Sequence, residues 1–125
     1  MQYCDSDETF GWRHRVRDAL ARKPNPIEVH IPDIEDAAAV KYMVESDKAA
    51  IDACGALVVY PWKVSCGTAM EAIYAWERGK YIVLVEAPGI SPWHRYHSTY
   101  TARDVDGAVR QLKRWAAAVK KMRPA

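Results

Sequence analysis

The sequence has few cysteines and no long apolar run. Its three cysteines, Cys4, Cys54 and Cys66, are an odd number at wide spacing. This spacing argues against a disulfide framework and against a zinc site built on C-x-x-C pairs. The longest apolar runs, at residues 56–60 and 81–85, fall far short of the roughly 20 residues that cross a bilayer. We therefore expect no membrane partner.

An excess of charge of one sign is also missing. The formal net charge is +2 over 125 residues, so no concentrated basic face is evident and a nucleic-acid polymer is not an expected partner. Residues 1–5 lack the basic and apolar regions of a signal peptide, which predicts a cytoplasmic protein. A length of 125 residues suits a single domain over residues 1–125.

What the sequence does contain is an alternation of helical and strand-like segments. This pattern is typical of a parallel sheet with helices on its faces. The predicted fold class is α/β, a flavodoxin-like (Rossmann-like) parallel sheet of about four to five strands. Strands are predicted at residues 2–4, 27–31, 56–60, 81–85 and 96–101, the third of them as a buried central strand. The first predicted helix is capped by Asp7 or Thr9, carries Trp12 and Leu20 on one side and stops before Pro24. Further helices are predicted at about 37–54, at 68–78 with Gly79 as a C-terminal cap, and from Asp104 or Thr101 onward.

Side chains suited to ligand binding gather after the strand predicted at residues 56–60. In open α/β sheets, ligands bind outside the carboxyl ends of the strands. Ser65, Gly67 and Thr68 lie at the predicted start of a helix, where unpaired amides and the helix dipole favour an anion. The pattern predicts a site for a phosphate or for sugar hydroxyls. The alternative, that small polar residues simply start the helix, stays open.

Glu71 has two interpretations. Thr68-Ala69-Met70-Glu71 fits the S/T-x-x-E capping box, in which the glutamate closes on the amide of the N-cap residue. The functional interpretation is a carboxylate in the first helical turn that faces a bound sugar and attacks its anomeric carbon.

Two acids of the preceding helix, Asp47 and Asp52, are candidate partners for Glu71. For either one, the alternative is a solvated helix residue. Asp47 lies one helical turn before Ile51, so it comes near the binding loops only if its helix begins at the carboxyl edge of the sheet.

Taken together, these residues resemble the nucleoside 2-deoxyribosyltransferase-like superfamily. The similarity covers roughly residues 45–85 and rests on Asp47, the apolar strand at 57–60, Ser65-x-Gly67-Thr68-Ala69-Met70-Glu71 and Ala75-x-x-x-Gly79-Lys80. The resemblance implies a flavodoxin-like fold and a glutamate nucleophile, here Glu71, that forms a glycosyl-enzyme intermediate. It also implies that Asp47 positions or protonates groups at the reacting centre and that Tyr3 holds the nucleophile.

Ser65 favours one branch of that superfamily. Transferases that act on free deoxynucleosides tend to carry an acid six residues before the nucleophile, whereas hydrolases of nucleoside 5′-monophosphates carry a serine that contacts the phosphate. The expected activity is therefore hydrolysis of a nucleotide N-glycosidic bond. Base exchange by a transferase and nucleotide binding without turnover are the alternatives.

The resemblance also implies that the substrate is a nucleotide or nucleoside and that the protein forms a homodimer or a larger homo-oligomer. The mechanism needs no metal ion and no organic cofactor. Trp93 follows Pro92 in a loop expected near the active edge or a neighbouring subunit, where its indole would stack on the base. The alternative is an aromatic side chain that only packs against the protein.

Overall fold

The computed structural model describes residues 11–23, 26–29, 40–63 and 66–122. The elements are α1 (Trp12–Ala21), α2 (Val40–Ala53), β1 (Ala56–Val59), α3 (Cys66–Glu77), β2 (Tyr81–Val85), α4 (Pro92–Tyr96), β3 (Tyr100–Ala102) and α5 (Val105–Met122). The chain divides into two compact units. One unit contains α1 and α5, and the other contains α2 to α4 and the start of β3.

The sheet has the strand order β1-β2-β3. β1 and β2 are parallel, with Ala56 beside Tyr81 and Val59 beside Leu84. Parallel neighbours need a crossover connection, and α3 provides it. The α/β class and the parallel arrangement are thus confirmed. The described residues hold three strands rather than four to five, and the strand predicted at residues 2–4 lies outside them.

Two strand predictions were wrong in their placement. Residues 27–29 belong to neither a helix nor a strand, because the amide of Ile27 donates to the carbonyl of Leu20 at 2.8 Å and follows the end of α1. Residues 30–31 lie outside the described part. In the segment predicted as a strand at 96–101, Tyr96 ends α4 and the strand begins only at Tyr100.

The loop predicted to carry Trp93 is in fact the start of α4. Ser91 is the N-cap, and its hydroxyl accepts a hydrogen bond from the amide of His94. Pro92 occupies the first helical position, where its fixed φ is suited to a helix and its missing N–H is not needed. These two local signals start a helix that the Pro- and Gly-containing segment did not suggest.

β2 is the central strand of the described sheet. Ile82 to Val85 are buried on both faces of the strand, which is the behaviour of a parallel central strand. In β1, Val59 is buried and the other three residues are half-buried, and β1 lies at one end of the described strand order. The apolar cluster on one side of the sheet consists of Ile51, Val59, Ala72, Ala75, Ile82 and Leu84.

Two predicted helix caps are confirmed. Gly79 follows α3 with φ of 71°, and its amide donates to the carbonyl of Trp76 at 3.0 Å. This is the left-handed conformation in which glycine commonly ends a helix. At the start of α5, the carboxylate of Asp104 accepts a hydrogen bond from the amide of Gly107 at 2.7 Å, as an N-cap residue does.

In the unit of α1 and α5, the buried residues of α1 recur every fourth position, at Trp12, Val16 and Leu20. Lys113 of α5 donates to the carbonyls of Leu20 and Arg22. Its ammonium group thereby binds carbonyls at and just after the end of α1, which have no acceptor role within the helix. None of the helices in the described part of the chain has the length and apolarity needed to cross a bilayer.

Candidate active site

The two helices that carry the candidate acids run in the same direction. α2 ends just before the first residue of β1, and α3 ends just before the first residue of β2. The amide of Tyr81 donates to the carbonyl of Gly55 at 3.0 Å, so both turns lie at the amino edge of the sheet. α2 and α3 therefore both begin toward the carboxyl edge. Asp47 can lie near the binding loops only if its helix begins at the carboxyl edge, and α2 meets this condition.

α3 begins two residues earlier than predicted, at Cys66. Gly67 is exposed and Thr68 is half-buried, and both belong to the first helical turn, where backbone amides have no partner within the helix. Thr68 is the third helical residue and does not occupy the N-cap position. The capping-box interpretation with Thr68 as N-cap was therefore wrong. Ser65 and Tyr3 lie outside the described residues.

Glu71 lies on the inner side of α3. It is half-buried and precedes by one turn Ala75, which is completely buried. Thr68 precedes Glu71 by three positions and shares this face of the helix. On the outer side, Met70 has 69% of its surface exposed. The carboxylate thus belongs to the side of α3 that packs toward the sheet.

Asp47 has a matching position on α2. It is half-buried and precedes by one turn Ile51, which is 6% exposed and belongs to the apolar cluster with Ala72 and Ala75. Asp47 is therefore not a fully solvated helix residue.

Asp52, the competing acid, is held by other groups. Its two carboxylate oxygens accept hydrogen bonds from the hydroxyl of Tyr74, at 3.1 and 2.9 Å. Nε of Arg78 lies 3.0 Å from Oδ1 of the same carboxylate. Desolvation and the hydrogen bond to Asp52 raise the pKa of Tyr74 above that of an ordinary phenol, so the hydroxyl stays protonated. Asp52 lies in the last turn of α2, at the amino edge and away from the start of α3.

The loops after β1 and β2 contact one another closely. Gly89 is buried, and its amide donates to the carbonyl of Pro61 at 2.8 Å. A methyl group on Gly89 would lie 2.4 Å from backbone atoms of Pro61 and Lys63. The loop after β2 therefore holds residues 61–63 of the loop after β1 in place. Residues 26 to 28 positions apart in sequence gave no local signal of this contact.

Trp93 belongs to an exposed aromatic cluster formed by Trp76, Trp93, Tyr96 and His97. Its indole is 64% exposed and stacks on the His97 ring with centroids 5.9 Å apart. His97 and Tyr96 in turn contact Trp76, which is in the last turn of α3. The structure thus places Trp93 with the end of α3, whereas Gly67 and Thr68 lie at its start.

Arg95 of α4 is bound by a neighbouring acid. Its two terminal nitrogens donate to the two carboxylate oxygens of Glu86 at 2.8 and 3.2 Å. This hydrogen-bonded pair lowers the pKa of the Glu86 carboxyl and raises that of Arg95. The guanidinium is thereby directed to a carboxylate of the same segment.

His94 is a buried histidine that sequence reasoning missed. It is 4% exposed, and its Nδ1 accepts the amide of Ser91 at 2.9 Å. Histidine takes the role that Glu or Gln has in the usual capping box, which hides the pattern from a sequence search. An unprotonated Nδ1 puts the ring proton on Nε2, which has no hydrogen-bond partner among the described residues.

We expect His94 to make stability depend on pH. Burial lowers its pKa, so the neutral ring is the folded form. Its stabilising effect is complete above the pKa of an unfolded histidine, about 6.5, and is lost as pH falls through the lowered pKa of the folded state. Urea unfolding at about pH 7.5 and pH 5 measures this change.

The matched comparison uses His94→Asn, which cannot titrate, and His97→Asn at the neighbouring, half-buried histidine. The free energy of unfolding of His94→Asn should fall less than that of wild type between the two pH values, whereas His97→Asn keeps the His94 ring and should retain the larger fall. An equal fall in wild type and His94→Asn would contradict the assignment.

The described residues include no group of three or more His, Cys, Asp or Glu side chains placed to hold a metal ion. Comparison with protein-family models and with curated proteins gives no match. The assignment of function therefore depends on the geometry of the site and on the motif resemblance.

Proposed function

We propose that the chain is an N-glycosidase of the nucleoside 2-deoxyribosyltransferase-like superfamily, with a flavodoxin-like fold, that hydrolyses the base–sugar bond of a (deoxy)nucleoside 5′-monophosphate. The observation that supports this most directly is the placement of Glu71. It is half-buried on the inner face of the helix that follows β1 at the carboxyl edge of the sheet. Asp47 occupies the corresponding inner face of α2, which runs in the same direction.

The first turn of α3 is the proposed phosphate site. Amides at the start of a helix point toward an anion bound there, and the helix dipole favours a negative charge. Gly67 and Thr68 lie in this turn, and Ser65 directly precedes it in the sequence. A phosphate bound at this point places the attached sugar toward Glu71, which lies about 7.5 Å along the helix from Cys66.

The proposed reaction has two steps. A carboxylate oxygen of Glu71 forms a bond to C1′ as the bond between C1′ and the base nitrogen breaks, and the electron pair of that bond leaves with the base. Asp47 assists delivery of the proton that neutralises the base. Water then attacks C1′, loses a proton and displaces the carboxylate, so the products are free base and a sugar 5-phosphate.

The experiment that tests the activity is incubation with a panel of ribo- and deoxynucleoside 5′-monophosphates and free nucleosides, with and without a second base. Chromatography should show free base from at least one monophosphate and little from the matching nucleoside. A new nucleoside formed with the second base would indicate a transferase instead. Binding without any product would indicate a nucleotide-binding protein.

A further inference from the structure

We propose that Tyr74 is a positioning residue for this reaction. Its hydroxyl binds Asp52 and thereby fixes α2 against α3, which holds Asp47 at its working position relative to Glu71. The inference rests on the proposed function in one respect, that Asp47 and Glu71 act on the same substrate.

Three polar side chains, Asp52 of α2, Tyr74 of α3 and Arg78 after α3, form the contact between the two helices, here named the polar fork. The Tyr74 hydroxyl donates to both carboxylate oxygens of Asp52, at 3.1 and 2.9 Å. The Arg78 guanidinium lies over the Tyr74 ring, with Cζ 3.2 Å from the ring centroid, and its Nε is 3.0 Å from Asp52 Oδ1. One carboxylate of α2 is therefore bound by two side chains from α3 and the turn after it.

Two lysines reinforce this contact. Nζ of Lys80 donates to the backbone carbonyl of Asp52 at 3.0 Å, which fixes the main chain of α2 as well as its side chain. Nζ of Lys48 lies 5.5 Å from the Tyr74 ring centroid, one turn of α2 before Asp52. α2 is thus bound to Tyr74 and its neighbours at two successive turns.

The contact between Tyr74 and Asp52 sets the positions of Asp47 and Glu71 along the helix axes relative to one another. Asp47 lies five residues before Asp52, or about 7.5 Å along α2, and Glu71 lies three residues before Tyr74, or about 4.5 Å along α3. Because the two helices run in the same direction, both acids lie toward the carboxyl edge from this contact, with an axial offset that the contact sets. A shift of α2 along its axis would change this offset directly.

The apolar packing beneath the fork resists such a shift weakly. Ile51 of α2 shares its cluster with Ala72 and Ala75 of α3, and alanines form low ridges that interlock little with a neighbouring helix. The polar fork adds an axial restraint to this packing. Asp52 and Arg78 are both partly exposed, and exposed ion pairs contribute little to stability, so loss of the fork should displace α2 without unfolding the chain.

The variant that tests the inference is Tyr74→Phe, which keeps the ring beneath Arg78 and removes only the hydroxyl. We expect kcat for base release to fall about 10-fold, because small misplacements of reacting groups have effects of this order or larger. KM for the monophosphate should change less than about twofold, since the proposed phosphate contacts belong to the first turn of α3 and the residue directly before it, and none of them to α2. The control is Tyr100→Phe, a phenol that is 40% exposed in β3, which should leave both constants unchanged.

A double-variant cycle separates positioning from a general structural role. Asp47→Asn should lower kcat by itself, and adding Tyr74→Phe to it should cause no further loss if Tyr74 acts through Asp47. Effects that multiply would overturn the inference. Asp52→Glu, which keeps an acceptor for the hydroxyl, should retain more activity than Asp52→Ala.

Failure of the inference and failure of the proposed function give different results. A wild-type chain that releases no base from any monophosphate overturns the proposed function, and the positioning role with it. An active wild type together with a fully active Tyr74→Phe overturns the positioning role alone.

Discussion

Replacement of Glu71 by Gln is expected to reduce the release of free base by at least about 10³-fold, with the chain still folded. Gln has nearly the same size and fills the same half-buried position on α3, but its neutral amide oxygen is a poor nucleophile for C1′. Steady-state rates from quantified free base measure the loss. Affinity for the monophosphate, measured by calorimetry, should stay within a few fold because Gly67 and Thr68 are unchanged.

The matched control is Glu77→Gln. Glu77 is a carboxylate of the same helix, but it is exposed at the last residue of α3, so its variant should turn over substrate at the wild-type rate. Circular dichroism and thermal unfolding compare the folds of the two variants. Full activity of Glu71→Gln in a folded chain would show that this carboxylate is not the nucleophile.

Local signals predicted a large part of the fold. The run at residues 81–85 is apolar at every position and is the buried strand β2. Gly79 and Asp104 carry the chemistry of helix ends, and both have that role. Such features depend on a few adjacent residues, so a single sequence contains them.

Features that depend on distant residues could not be predicted in the same way. The pairing of β1 with β2 joins residues 25 positions apart in sequence, and Tyr74 binds an acid 22 positions away. α4 was missed for a different reason. Its capping box uses His94 where Glu or Gln is usual, so the local signal existed in an unfamiliar form.

For the candidate site, a small difference in helix length separated two interpretations of Glu71. If the helix began after Thr68, the spacing of three residues between Thr68 and Glu71 would fit a capping box. Because the helix begins earlier, at Cys66, the same spacing places both side chains on the inner face of α3. The periodicity of the sequence does not fix a boundary to within two residues. The role of Asp47 depended on the direction of α2, which only the sheet topology supplies.

Substitution of Ala for Gly89 is expected to have the largest effect on stability. The added Cβ would lie 2.4 Å from the backbone C of Lys63 and the backbone O of Pro61, far inside van der Waals contact. Backbone atoms cannot rotate away as a flexible side chain does, and Pro61 is itself among the most completely buried residues. We expect a loss of about 3 kcal/mol in the free energy of unfolding, in the upper range for overpacking.

Gly89→Ala should also alter the proposed phosphate site, because Lys63 lies three residues before the first turn of α3. If the loop moves to admit the methyl group, KM for the monophosphate should rise at temperatures where the variant is still folded. Gly107→Ala is the control, since its Cβ would meet the side-chain oxygen of Asp104 at 3.2 Å and alanine favours a helix by about 1 kcal/mol over glycine. Urea unfolding of both variants, alongside KM, measures the two effects. If Gly89→Ala had the same free energy of unfolding as Gly107→Ala, the close contact between Gly89 and the backbone of Pro61 and Lys63 would be contradicted.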